Sequence, residues 1–356
     1  MSAYPDQQAA RSLISVIGGG AVGGLLAALL ARSGAPVELI VRECYQEAYR
    51  AGLQVTTAED AFRQHLPVET TPSPNAALLV VAVKMPDLEA TCRQIAEAWP
   101  DPMPSGAGAT LPLPVVLLLQ NGLDALDIAE RYLPPERLYA AVVELGATAL
   151  RPAAITYSIP GRLLLGSARP GPEALTAHVA AMLAPALRAD LTDDIRGAQR
   201  LKLLINLNNG VGAATGLTVQ QLYASRAGVR VSLGVMREGL ATLDGAGLAP
   251  PANRRSRGLR AILGLPEAFG ITALRLARLA MRQRAPVYAS TLQSVLRRRP
   301  SEIRWLNGRI VQLGQQHGIA TPLNRAVVDV VDALESGAIS AKYVTPAALL
   351  AAGRSA

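Results

Sequence analysis

Three glycines near the start of the chain have a spacing that could bind phosphate. Gly18, Gly20 and Gly23 form a G-x-G-x-x-G pattern between a β-branched apolar run and a run rich in alanine and leucine. Where a strand gives way to a helix, these glycines permit a tight turn, the approach of a pyrophosphate and close helix–strand packing, respectively. A helix starting at Ala21 and Val22 would direct free N–H groups and its positive dipole end at that phosphate. The pattern therefore predicts a dinucleotide site.

The same segment, residues 13–31, carries no charge, so its length also allows a membrane span or the core of a signal peptide. Its central glycines argue against this alternative, because each costs roughly 1 kcal/mol relative to alanine inside a helix. Residues 1–12 also lack the cationic character of a leader. We therefore expect no membrane partner.

A second candidate site is the polar patch at residues 202–209, within a run rich in leucine and isoleucine. Lys202 and Asn206 are four residues apart and share one helix face, and Asn209 lies near that face. A lysine and two amides need hydrogen-bond partners if they are buried. Two interpretations stay open on these residues alone: a functional site, or a helix surface whose asparagines cap its end before Gly210.

A third polar patch lies between residues 289 and 308. Ser290 precedes a cluster of arginines, and Pro300 suits the first turn of a helix. Glu302 would then lie near a helix start, where the dipole favours an acid. Composition alone assigns Glu302 no further role.

Continuous apolar runs indicate the strands that must position these residues, because parallel strands covered on both faces have this pattern. The runs are residues 36–41, 76–83 and 115–119. Arg42, Lys84 and Asn121 follow them, at the carboxyl edge where open α/β sheets bind ligands. Arg42 would accommodate a 2′-phosphate, as in NADPH, whereas Glu43 would bind a ribose 2′-hydroxyl, as in NADH. A surface ion pair is the simpler alternative.

The length of 356 residues suggests two domains, and the apolar pattern changes between them. Residues 12–192 predict an α/β domain with a Rossmann-type doubly wound sheet. Its further predicted elements are a hairpin at 51–68, a helix at 88–99, a loop at 100–114 and strands at 138–143, 154–159 and 162–165. Residues 193–356 predict an all-helical domain. Its predicted helices are 199–207, 226–245, 259–284, 303–317 and 324–336.

Composition excludes several classes of site. Two cysteines, Cys44 and Cys92, and three scattered histidines provide no disulfide framework and no metal-ligand cluster, so we expect no metal and a reducing, cytoplasmic location. The net charge of +8 comes mostly from arginine, but aromatic residues are only 4% of the chain, which argues against nucleic acid as a partner. The sequence leaves the oligomeric state open, with a homodimer among the alternatives.

Together these motifs resemble the ketopantoate reductase (2-dehydropantoate 2-reductase) family, from the glycine turn to about residue 319. The matching elements are Val16-Ile-Gly-Gly-Gly-Ala-Val-Gly23, Arg42, Val83-Lys84, Gln120-Asn121-Gly122, Lys202-Leu-Leu-Ile-Asn206, Ser290, Ser301-Glu302-Ile and Leu306-Asn307-Gly308. Their order and spacing carry the assignment. The resemblance implies a Rossmann-type domain followed by a helical domain of the 6-phosphogluconate dehydrogenase C-terminal type, with the active site in the cleft between them.

The resemblance also implies how the cofactor is held. The family uses NADPH, and its arginine matching Arg42 binds the 2′-phosphate. Residues matching Lys84 and Asn121 line the cleft for cofactor and substrate. The glutamate matching Glu302 contacts both cofactor and substrate. It is expected to be catalytic, together with Lys202.

For the substrate, a small 2-keto acid, the resemblance implies a second set of residues. Lys202 matches the general acid, and Asn206, a nearby second asparagine and Ser290 match the residues that hold the keto acid. The residue types fit the chemistry, because hydride transfer to a ketone carbon puts negative charge on its oxygen. An ammonium group stabilises that charge and then protonates the oxygen.

Three positions depart from the family pattern. Arg200 stands where the family has tryptophan, and Arg304 where it has aspartate. Gly210 stands where the second substrate asparagine usually lies, so Asn209 would serve after a one-residue slip, with Asn208 as the fallback.

The expected activity is the NADPH-dependent reduction of 2-dehydropantoate to pantoate, in pantothenate and coenzyme A biosynthesis. The departures leave two alternatives open, a reductase of another 2-keto acid and a dinucleotide-binding regulator without turnover. The sequence assigns no role to the loop at 100–114 or to residues 259–283. The second segment looks longer than in the shortest family members.

Overall fold

The computed structural model describes residues 12–99, 114–169, 173–272, 287–337 and 342–355. The chain forms two compact units. The first comprises Met1–Gln120 and Asp124–Ile195, and the second comprises Asn121–Leu123 and Arg196–Ala356. The three residues Asn121–Leu123, which follow the strand predicted at 115–119, therefore pack with the helical part of the chain.

Over the described residues, the first unit is built on one mixed sheet of ten strands. Its strands are β1 (Ile14–Ile17), β2 (Val37–Ile40), β3 (Leu53–Thr56), β4 (Ala61–Gln64), β5 (Val68–Glu69), β6 (Leu78–Val81), β7 (Val115–Leu118), β8 (Leu138–Arg151), β9 (Ala154–Ser167) and β10 (Arg188–Leu191). Their order is β4-β3-β9-β8-β7-β6-β1-β2-β5, with β10 paired to β9. The helices of this unit are α1 (Ala21–Arg32), α2 (Gln46–Arg50), α3 (Met85–Ala98), α4 (Ala125–Ala129) and α5 (Glu173–Leu183).

Strand β1 lies between β2 and β6, and the carboxyl ends of these three strands form the edge of the sheet that carries the glycine turn. Both neighbours are parallel to it, and Ile17 at its end is in register with Ile40 and with Val81. The side chains of β2 and β6 are buried, as are those of β1 before Ile17, which accounts for the continuous apolar runs in the sequence. Because the three strands end in register, the segments after them emerge side by side.

The outer part of the sheet differs in detail from the expectation. Two 14-residue strands, β8 and β9, form one long antiparallel hairpin in place of the three short strands predicted from the apolar runs. Pro160 and Gly161 ordinarily interrupt a strand. Register shifts that begin between Glu144 and Gly146 let the pairing continue past them.

The second unit is helical in the residues that the structure describes. Its helices are α6 (Ile195–Thr215), α7 (Val219–Ala224), α8 (Arg226–Gly245), α9 (Arg254–Gly264), α10 (Ser290–Leu296), α11 (Asn307–His317), α12 (Pro322–Glu335) and α13 (Pro346–Ser355). The predicted fold class, a Rossmann-type sheet followed by a helical domain, is thereby confirmed. Within the described ranges no helix is long and apolar enough to cross a membrane.

Two predicted segments need correction or lie outside the description. Helix α6 has 21 residues and runs well past residue 207, where the sequence predicted its end. The helix predicted at 259–284 is divided, because α9 ends before Leu265 and Pro266 and helical residues resume at 267–272. The rest of that segment and residues 100–113 lie outside the described residues.

Candidate active site

The glycine turn has the close packing that its spacing predicts. Gly18 has a φ of 110°, which favours glycine, and a Cβ on it would lie 3.0 Å from the backbone of Ala82. A Cβ on Gly23 would lie 2.1 Å from the carbonyl oxygen of Gly18 and 2.7 Å from the Cβ of Ala82. These two glycines bring the start of α1 against the turn after β1 and against the end of β6.

Gly20 has a different environment, because no atom of the described residues lies within 4 Å of the position that a Cβ would occupy. It is the N-cap of α1, no side chain caps the helix there, and the first turn holds no acidic residue. The N–H groups of Ala21 and Val22 are therefore at an uncapped, positively polarised helix end next to open space. This arrangement fits the phosphates of a dinucleotide.

Arg42 and Lys84 flank this turn from the two neighbouring strands. Arg42 follows β2 and precedes the short 3₁₀ helix at Glu43–Tyr45, while Lys84 is the N-cap residue of α3. The Arg42 guanidinium is paired with Asp87, with 2.8 Å between Nη2 and Oδ2. The sequence offered Glu43 as the acid at this place, but the acid that pairs with Arg42 is Asp87, which lies 45 residues further along the chain.

Gln120 is a buried polar residue at the same edge that the sequence analysis did not single out as a site residue. Its Nε2 donates to the carbonyl oxygens of Val81 and Val83, both at 3.0 Å. Its Oε1 is buried and has no hydrogen-bond partner among the described residues. Gln120 therefore ties the end of β7 to the segment after β6 and keeps one acceptor available.

In the helical unit, α6 brings the second candidate patch together. Asn206 is buried, and its Nδ2 donates to Oδ1 of Asn121 at 2.9 Å. Lys202 lies one helical turn earlier and is half-buried. Next to Asn121, Gly122 has a φ of 96° and approaches the carbonyl oxygen of Trp305 so closely that a Cβ would lie 2.9 Å from it. The amide pair joins residues that are 85 positions apart.

The structure also separates the two asparagines that the sequence left as alternatives. The Nδ2 of Asn209 donates to Oγ of Ser290, which opens α10, at 3.1 Å. The Nδ2 of Asn208 donates to the carbonyl oxygen of Ile205 in its own helix at 3.3 Å, and its Oδ1 is buried with no hydrogen-bond partner in the part of the chain that the structure describes. Asn209 therefore joins the predicted residue Ser290, and Asn208 does not.

Gly210 stands where the family pattern has its second substrate asparagine, and the packing around it leaves no free space for a larger side chain. A Cβ there would lie 2.3 Å from Oδ1 of Asn307 and 2.8 Å from side-chain carbons of Ile303 and Val327. The Asn307 side chain thus occupies the space in which a larger residue would start. Helix α6 continues through Gly210 to Thr215, so the asparagines before Gly210 do not cap its end.

We predict that Gly210→Asn destabilises the protein by about 1–3 kcal/mol, because it overpacks a filled site. Thermal unfolding measures the effect. Gly258→Asn is the matched control, because Gly258 is also helical but has no described atom within 4 Å of its Cβ position. Equal unfolding midpoints for the two variants would contradict the packing argument.

Behind α6 lies a buried polar network that the sequence analysis did not foresee. Asn307 donates to the carbonyl oxygen of Leu207 at 3.1 Å and to Oδ1 of Asn324 at 2.9 Å. Asn324 in turn donates to Glu238, whose carboxylate also accepts the first N–H groups of α12. Burial raises the pKa of Glu238, and the hydrogen bonds from Asn324 and Leu323 oppose that rise. The network fixes α6 at the turn between Asn206 and Asn209.

Glu302 is buried, with 3% of its surface exposed, and precedes the short 3₁₀ helix Ile303–Trp305. The sequence predicted Pro300 in the first turn of a helix. This is wrong, because the first helical residue is Ile303, three positions later. The neighbouring Ser301 is also buried, and its Oγ accepts the N–H of Ile303 at 3.1 Å. A buried carboxylate on a short turn is rare unless its environment compensates it.

The two arginine departures make contacts apart from these amide pairs. Arg304 is 73% exposed and lies 3.4 Å from Asp332. The Nη1 of Arg200 lies 3.5 Å from the carbonyl oxygen of Ala249. Neither contact involves Asn206, Asn209 or the residues bonded to them. Over the described residues no group of metal-ligating side chains is found either.

A Rossmann-type sheet with an open glycine turn, joined to a helical unit with a lysine and paired amides, defines a class of two-unit oxidoreductases. The family model described as ketopantoate reductase PanE/ApbA matches residues 14–170, and the model of its C-terminal part matches residues 194–335. The chain belongs to the ketopantoate reductase family.

Similar proteins cover nearly the whole chain at low identity. The 2-dehydropantoate 2-reductase of Archaeoglobus fulgidus is 25% identical over 91% of this chain and 98% of its own. That of Caulobacter vibrioides is 28% identical over 90% and 98%. Among solved structures, a PanE/ApbA family ketopantoate reductase from Ralstonia eutropha has a TM-score of 0.71 at 27% identity, covering 92% and 99% of the two chains.

One solved neighbour carries a different name. D-mandelate dehydrogenase, solved with NADH and anilino(oxo)acetate, has a TM-score of 0.74 at 20% identity, covering 91% of this chain and 98% of its own. At this identity the likeness shows the shared fold alone.

Proposed function

We propose that this protein reduces a 2-keto acid with NADPH, and that the substrate is 2-dehydropantoate, which becomes pantoate. The observation that carries the proposal is the pair of amide contacts along one helix: Asn206 with Asn121, and Asn209 with Ser290. Both pairs include a residue of α6, the helix that carries Lys202, and the family resemblance assigns their members to cofactor and substrate binding. The product would serve pantothenate and coenzyme A biosynthesis.

In the proposed reaction a reduced nicotinamide dinucleotide supplies a hydride to the keto carbon. Negative charge then develops on the carbonyl oxygen, and the Lys202 ammonium stabilises it and donates a proton to it from Nζ. The amides of Asn121, Asn206 and Asn209 and the Ser290 hydroxyl orient the keto acid without adding charge. Protonation from water restores the ammonium.

The proposed cofactor site uses the glycine turn and the residues beside it. The turn at Gly18, Gly20 and Gly23 holds the pyrophosphate against the N–H groups of α1. Arg42 binds the 2′-phosphate, which favours NADPH over NADH. Lys84 and Glu302 contact the cofactor, and Glu302 also contacts the substrate.

A second candidate is a reductase of another 2-keto acid. The D-mandelate dehydrogenase neighbour, which shares the fold, was solved with anilino(oxo)acetate, so an aryl 2-keto acid is included as the competitor to be tested. Against a changed specificity, Arg200 and Arg304 make their observed contacts away from the amide pairs. A regulator without turnover would have no use for Lys202 beside these amides.

The test is the loss of NADPH absorbance with a panel of 2-keto acids. The panel contains 2-dehydropantoate, 2-oxoisovalerate, pyruvate and phenylglyoxylate, each at several concentrations. The proposal expects the highest kcat/KM with 2-dehydropantoate. A preference for phenylglyoxylate would support the second candidate, and tight NADPH binding without turnover on any keto acid would support the regulator.

A further inference from the structure

The Arg42–Asp87 ion pair joins the two segments on either side of the glycine turn. Arg42 follows β2, and Asp87 lies in the first turn of α3, after β6. Strands β2 and β6 are the two neighbours of β1, whose end leads into the turn. Adjacent strands are about 4.8 Å apart, so the strands behind the pair are separated by roughly twice that distance. The ion pair therefore reaches from one side of β1 to the other.

Both partners remain accessible to solvent. The Arg42 side chain is 62% exposed and the Asp87 side chain is 48% exposed. An exposed ion pair is weak and is screened by salt, so a ligand can replace one partner at little cost. A third polar group, the exposed Glu43, follows Arg42 directly.

The two charges have opposite preferences at a dinucleotide ribose. A carboxylate in this region of the fold accepts hydrogen bonds from a free 2′-hydroxyl, whereas an arginine accommodates a 2′-phosphate. Here a cation from one segment and a carboxylate from another meet at 2.8 Å. Arg42 alone would favour the phosphorylated cofactor strongly, but Asp87 competes with that phosphate for the guanidinium and repels it.

We propose that Asp87 is a specificity-determining residue that limits the preference for NADPH and keeps NADH usable. This inference depends on the proposed function, because it takes the glycine turn as the dinucleotide site. The 2′-phosphate must displace Asp87 from Arg42 before it binds. The ribose 2′-hydroxyl of NAD(H), in contrast, donates a hydrogen bond to the Asp87 carboxylate while the ion pair persists.

The test is Asp87→Asn, which removes the negative charge and keeps the size of the side chain. We expect the affinity for NADP⁺ to rise about fivefold to tenfold and the affinity for NAD⁺ to stay equal or fall, as measured by titration calorimetry at low salt. Adenosine 2′,5′-bisphosphate and 5′-AMP, which differ in the 2′-phosphate, should separate in the same direction. The gain for NADP⁺ should shrink as salt is raised.

Asp60→Asn is the matched control, because Asp60 forms a comparably exposed ion pair with Arg32 at 3.2 Å in the same unit. This variant should leave both affinities unchanged. An unchanged ratio of NADP⁺ to NAD⁺ affinity in Asp87→Asn, with wild-type protein binding either dinucleotide, would overturn this inference alone. If the wild-type protein binds neither dinucleotide, the proposed function is overturned and this inference with it.

Discussion

Lys202→Ala should lower kcat by about 10²–10⁴-fold and leave the affinity for the dinucleotide within twofold of the wild-type value. The loss is expected because Lys202 is the group proposed to stabilise the charge on the carbonyl oxygen and to protonate it. Asn206 and Asn209, on the same helix, are neutral amides that orient a substrate but cannot act as acids. Dinucleotide affinity should persist because the glycine turn belongs to the other unit.

Steady-state kinetics with the best keto acid measures this effect, and a deuterium label at the transferred hydride identifies the affected step. If Lys202 acts in the chemical step, the isotope effect on kcat should increase in the variant, since hydride transfer then limits turnover. Lys342→Ala is the control, because Lys342 is an exposed lysine of the same unit. Near-normal turnover in Lys202→Ala would remove the proposed acid and with it the mechanism.

The parts of the site that sequence predicted are those with a local signal. The G-x-G-x-x-G spacing lies within six residues, and the buried strands are continuous apolar runs, so both are visible in short windows. The positions of Arg42 and Lys84 then follow from one rule about the carboxyl edges of parallel strands. The confirmed fold class depends on the same kind of local pattern.

The parts that sequence could not supply depend on contacts between distant residues. The partner of Asn206 is 85 residues away, and that of Asn209 is 81 residues away. Asn208 and Asn209 differ in the face of α6 on which each side chain lies. The periodicity of the run did not decide which of the two faces the other site residues. The end of α6 was predicted too early because asparagine followed by glycine is a local signal for the end of a helix. The Asn307 side chain that packs at Gly210 comes from about a hundred residues further on.

Alanine at Gly23 should destabilise the protein, whereas alanine at Gly20, three residues earlier, should weaken dinucleotide binding with little change in stability. A Cβ on Gly23 would lie 2.1 Å from the Gly18 carbonyl oxygen and 2.7 Å from the Cβ of Ala82, so α1 would have to move away from the sheet. We expect Gly23→Ala to destabilise the protein by about 3 kcal/mol, at the upper end of the usual cost of overpacking. Dinucleotide affinity should fall with it.

Gly20→Ala should instead leave stability within about 0.5 kcal/mol of the wild-type value, because Gly20 has a φ of −67° and open space at its Cβ position. Its methyl group would occupy the space proposed for the pyrophosphate, so dinucleotide affinity should fall at least tenfold. Chemical denaturation and calorimetric titration of both variants measure the two effects. Normal NADP⁺ affinity in a folded Gly20→Ala would place the pyrophosphate away from this turn, whereas a stable Gly23→Ala would mean that α1 yields more easily than the 2.1 Å contact implies.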